Sequence, residues 1–188
     1  SAASDVYKRQ VMEIVNREPR LKQRKITLHK NLLLHDIDVM SYKLAETSLQ
    51  GEARDNVASD SEDGLDGAVI GQLLEAREAA LRKKLTFCLR ETEIIEIDNV
   101  TELEGTFVYD LNLPASFKDI ELRTAVKLMH DYLVKGVLMD WYTHIGTNFG
   151  STLAAEVVQL ESKVVDIFRK PGFVNHASAV YYESHKIR

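Results

Sequence analysis

The chain has 188 residues, 45% of them hydrophobic and 28% charged, with a formal net charge of −5. That is the composition of one soluble globular domain large enough to bury its own core, and its acidity argues against general nucleic-acid binding. A single cysteine, Cys88, excludes an intramolecular disulfide and a cysteine-based metal cluster and fits a reducing compartment.

Residues 5–10, DVYKRQ, resemble the translation of a transposon-end adaptor used in DNA library preparation and are set aside from fold reasoning; the native start is then expected near Met12 or further upstream. Residues 1–25 are expected to form an N-terminal arm. From Met12 to Lys30 six basic residues, Arg17, Arg20, Lys22, Arg24, Lys25 and Lys30, face only Glu13 and Glu18. Such a stretch is either a solvated polar tail or a basic arm for an acidic surface or nucleic acid. No aromatic residue is interleaved to stack on bases.

Residues 26–170 are expected to form the helical domain. Within 27–49, Leu33, Ile37, Met40 and Leu44 recur at spacings of four, three and four, one face of a first core helix. His29 and His35, six apart, lie on different faces and do not make a metal pair. The composition then turns polar and acidic over residues 50–67, a long loop. Its acid cluster fails as an EF-hand: with Gly64 at the sixth loop position, Ser59 and Ile70 stand where Asp and Glu are required. Asp63 and Asp66 suit the start of a second helix over about 68–90, with Ile70, Leu74, Leu81, Leu85 and Cys88 on one stripe.

Over residues 93–113 the period changes to two. Ile95 and Ile97 alternate with Glu96 and Asp98, and Phe107, Tyr109, Leu111 and Leu113 share a side, which predicts a β-hairpin turning around 98–105. A two-stranded ribbon needs its apolar face covered by the helices or by another subunit, so Phe107 and Tyr109 are candidate contacts. A long central helix follows over 116–146, begun by a capping box of Ser116 with Asp119 and ended by Gly146, with His144 in the last turn. A last helix starts at Ser151 and carries Leu153, Val157, Leu160, Val164 and Ile167 in a heptad stripe. Residues 171–188 are expected to be an extended arm, either folded back on the core or docked on a neighbour. Its apolar residues Phe173, Val174, Val180, Tyr181 and Tyr182 are the candidate inter-subunit contacts.

For chemistry the sequence offers little. None of the six histidines belongs to a recognisable metal motif, and no GxSxG, Walker or GxGxxG pattern is present. No catalytic, cofactor or metal residue is assigned. His130-Asp131 with Asp140 and His144 is the best acid–base set, and the spacing of four allows Asp140 to hydrogen-bond His144. Without a nucleophile the plainer expectation is a satisfied histidine at a helix end, with Trp141 and Tyr142 in the core.

The segments ITLHKNLLLHDIDVMSYKLAE (26–46) and LRTAVKLMHDYLVKGVLMDWY (122–142), in this order of elements, resemble the head–tail connector or neck proteins of tailed phages and prophages. The resemblance implies a mainly α fold of about four helices around the long central one with an inserted β-hairpin. It also implies a non-enzymatic virion-assembly subunit that joins a ring of its own copies between portal and tail proteins. Assembly would take place in the host bacterial cytoplasm, with no cofactor, no membrane contact, and nucleic-acid contact only through the basic arm. The alternative is a helical regulatory or protein-binding module that uses that arm.

Overall fold

The computed structural model describes residues 21–48, 64–90 and 105–169. Its elements are β1 (Leu21–His29), α1 (Lys30–Ser48), α2 (Gly64–Lys84), β2 (Thr106–Pro114), α3 (Asp119–His144) and α4 (Phe149–Phe168). The fold is mainly α, four helices with one two-stranded antiparallel ribbon.

α3 is the organising helix. Ten of its residues, from Ala125 to Tyr142, are buried, and from Tyr132 onward they include almost every face, as an all-round apolar helix requires. The helix begins at Asp119, two to three residues later than Ser116 predicts. Pro114 is the last residue of β2 rather than part of a loop, and the Phe117 N–H closes a turn onto its carbonyl. The cap therefore falls on Lys118, whose N–H donates to Glu121 Oε2 at 3.1 Å. The predicted end holds. Gly146 has φ +74°, its N–H donates to the Thr143 carbonyl and the Thr147 N–H to that of Tyr142, the paired bonds of a Schellman cap.

That cap reverses the chain into α4, which runs back along α3. Tyr142 packs on Phe149 near the turn, and Tyr132 reaches Glu161 further along. The heptad stripe Leu153, Val157, Leu160, Val164 and Ile167 is buried to the last residue. Gly150 permits the close crossing: a Cβ there would stand 2.5 Å from Thr143 Oγ1 and 2.9 Å from the Met139 carbonyl.

The ribbon departs from the expected hairpin. β2 spans the predicted residues, with Phe107, Tyr109, Leu111 and Leu113 buried on one side, but it pairs with β1, from Leu21↔Pro114 to His29↔Thr106. Residues 93–98, expected as the first strand, lie outside the described residues. Part of the predicted basic arm and the first three residues of the predicted helix are thus strand. Ile26 and Leu28 alternate with exposed neighbours and bury against the core. On the far side of β2, α2 ends in a turn and Leu89 makes a single antiparallel bridge to Leu111.

Candidate functional site

Two surface features bring polar groups together. Between α1 and α3 a groove of about 250 Å³ is lined by Val39, Met40 and Val134 together with Asp36, His130, Asp131, Lys43 and Lys135. α3 places His130 and Asp131 side by side, and α1 presents Asp36 across from them. His130 Nε2 lies 3.2 Å from Asp36 Oδ2, and its Nδ1 lies 3.8 Å from Asp131 Oδ1. The imidazole is thus held between two carboxylates and joins two helices. No Ser, Thr or Cys among the described residues lines the groove, so the groups it offers for chemistry are the imidazole, the two carboxylates and the two lysines. Among the described residues no group of three His, Cys, Asp or Glu is arranged to hold a metal ion.

The second feature is a depression of about 370 Å³ on the ribbon, lined by Gln23, Arg24, Lys25, Arg90, Asp110 and Leu111. Three of the six are cations. Arg24 donates to Asp119 at the start of α3 at 2.9 Å, and Lys25 stands 3.7 Å from Asp110. The sequence marks these cations as a cluster but gives no sign that they line a strand.

Asp140 and His144 do not pair as a catalytic dyad. Asp140 takes both ends of the Arg77 guanidinium from α2, Nε to Oδ2 and Nη2 to Oδ1, each at 2.5 Å, a fork-on-fork contact. The Asp140 hydrogen bond, opposed by burial, holds the Arg77 pKa above its ordinary value. His144 is exposed and sits 6.3 Å from the Trp141 ring. Trp141 and Tyr142 are buried as expected, and the Tyr142 hydroxyl donates to the Ser41 carbonyl on α1.

A second polar set lies beneath the ribbon. Glu78, 7% exposed, accepts two bonds from Arg82, which also donates to the Val108 carbonyl and lies 4.8 Å from the Tyr109 ring. The signal for Glu78 is present in the sequence but easily passed over: four residues after Leu74 and three before Leu81, it interrupts the apolar stripe of α2 with a carboxylate, while its neighbours Glu75 and Arg77 lie off that stripe.

Burial pushes three groups away from ionisation: Cys88 to about 12, Tyr142 to about 12, and Tyr109 upward, the last also through the nearby Glu78 carboxylate. The Tyr109 hydroxyl is the one buried side-chain polar atom without a hydrogen-bond partner among the described residues. Phe107, 5% exposed, and Tyr109, fully buried, pack in the chain's own core. Phe173, Val174, Val180, Tyr181 and Tyr182 lie outside the described residues. Among the described residues no helix is long and apolar enough to cross a membrane.

Comparison with protein-family models, with curated proteins and with solved structures finds no match to this chain.

Proposed function

We propose that this chain is a non-enzymatic assembly subunit, joining a ring of its own copies as a head–tail connector or neck protein of a tailed phage or prophage does. The observation that supports this most is the use to which the polar groups of α3 are put. Asp140, the acid best placed by sequence for chemistry, is locked onto Arg77 of α2, and His130 links α3 to α1. Charged groups that tie helices together make a stiff block, which suits a part of an assembly. The test is solution mass by light scattering across a concentration series, for the whole chain and for a chain lacking residues 173–188. A closed oligomer that falls apart without the arm is the expected result. A monomer in both forms, unchanged on mixing with a portal ring, would remove the proposal.

The second reading, a binding module that holds an acidic partner through the basic stretch, draws on the exposure of Lys22 and Lys25 on β1. It predicts partner binding that weakens as salt is raised.

A further inference from the structure

The outer edge of β1 is open among the described residues, and its register fixes which backbone groups it offers. The Lys30 N–H donates to the Gly105 carbonyl at 2.7 Å, one step beyond the pairing of His29 with Thr106. Hydrogen-bonded and non-bonded pairs alternate along an antiparallel ladder. Even-numbered residues of β1 therefore bond to β2, while Gln23, Lys25 and Thr27 turn their N–H and C=O groups away. β2 shows the complementary pattern: Asp110, opposite Lys25, accepts from the Arg90 N–H, and Asn112, opposite Gln23, donates to the Cys88 carbonyl, both on the far edge. The β2 side is thus partly filled by Cys88–Arg90 and by Arg82. On the β1 side, the side chains of Gln23, Lys25, Thr27 and His29 are all exposed.

We propose that the β1 edge is a docking site for an acidic extended polypeptide segment, which adds to the ribbon as a further strand. The inference rests on the second reading above and supplies its mode of contact. Open amide and carbonyl groups at a two-residue repeat are matched by another strand. The charge of the partner follows from Lys22 and Lys25 on the edge strand and Arg90 across the ribbon. A second β1 is a poor occupant, because lysines on an edge strand oppose self-pairing. A nucleic acid is a poor one too: the exposed side of the strand carries no Phe, Tyr or Trp to stack a base, and Asp110 stands in the depression.

The test uses the full chain and a fluorescein-labelled, acetylated eight-residue peptide alternating Glu and Val, followed by fluorescence anisotropy. Saturable binding is expected, with none for the peptide in which Lys replaces Glu. Alternate N-methylation of the peptide removes its strand donors, and Thr27→Pro removes an outward N–H that the β1–β2 ladder does not use. Each is expected to weaken binding roughly tenfold, and Lys25→Glu by a similar factor. The N-methylated peptide acts on the unaltered chain, so the proposal stays open to refutation if Thr27→Pro fails to fold. Absence of binding would overturn both the docking site and the binding-module reading. Binding that survives N-methylation and Thr27→Pro but is lost in Lys25→Glu, or that single-stranded DNA displaces as well as the peptide itself, would mean attraction by charge alone. That outcome overturns strand addition and leaves the binding module standing.

Discussion

Along the seam between α3 and α4 the buried contacts are apolar and continuous, from Leu153 to Phe168 on one helix and from Met129 to Tyr142 on the other, with polar contacts, Lys135 to Glu156 and Tyr132 to Glu161, beside them. α2 meets its neighbours differently. It buries Ile70, Leu74 and Leu81, and then fastens to each neighbour through a charged side chain: Glu75 to Lys30 of α1, Arg77 to Asp140 of α3, Arg82 to the Val108 carbonyl of β2 and Lys84 to Glu161 of α4. Apolar burial stabilises without much regard to direction, whereas a forked ion pair holds only in one register. The seam supplies stability and the clasps set where α2 sits.

The largest effect should come from the seam. Phe168 is fully buried and stacks on Phe117 with ring centroids 5.9 Å apart; Phe168→Ala should cost about 4 kcal/mol, read as a fall in the urea midpoint. If the loss were below about 1 kcal/mol, the seam would not be the main store of stability. A clasp should behave otherwise. Asp140→Asn leaves a largely covered guanidinium without its counter-charge and should cost about 2 kcal/mol, while Arg77→Met with Asp140→Leu should return to within about 1 kcal/mol of the parent. A double variant as weak as the single one would mean that the pair adds net stability as well as position.

Alkali separates the two regions in a third way. In the unfolded chain a thiol ionises near pH 8.5 and a phenol near 10, whereas burial holds Cys88 and Tyr142 protonated to about 12. Between those limits the unfolded state binds fewer protons, so stability falls as pH rises. Cys88 alone should lower it by about 3 kcal/mol between pH 8 and 11. Arg77, shifted upward by Asp140, keeps its charge throughout, so the clasp should outlast the core. A urea midpoint unchanged to pH 11 would contradict the burial of these groups.

The smallest effect carries a change of sign. Gly136 lies in the interior of α3, and a Cβ there would come within 3.1 Å of Arg77 Cδ. Alanine is favoured over glycine in a helix by up to about 1 kcal/mol. With Arg77 pinned by Asp140 the side chain cannot yield, so Gly136→Ala should destabilise slightly; in an Asp140→Ala background, where Arg77 is free to move, the same change should stabilise. Equal effects in both backgrounds would show that Arg77 is not pinned.

How far the sequence revealed this follows the same division. The α4 stripe and the all-round apolar half of α3 are periodic patterns, and every predicted stripe residue of α4 is buried. Gly146 marked the cap through its chemistry alone. The clasps were not legible, because Arg77 and Asp140 stand 63 residues apart and each alone resembles a solvated helix charge. β1 was hidden for a related reason. Only Ile26 and Leu28 show its inward face, and its partner is chosen by β2, far along the chain. The chemistry of the Arg24 and Lys25 depression was visible as a cluster of basic residues, but its shape was not.

The pairing of β1 with β2 also bears on the order of folding. During synthesis β1 emerges before α1, α2 and the whole of β2, so it must wait for a partner that closes a long loop, and such contacts are slow to form. The α3–α4 hairpin, by contrast, joins neighbours across a short turn. Val157→Ala and Val164→Ala are therefore expected to slow refolding, with φ-values well above those of Ile26→Val and Leu28→Val, which should act mainly by speeding unfolding. The first strand to be made would then be among the last to be secured.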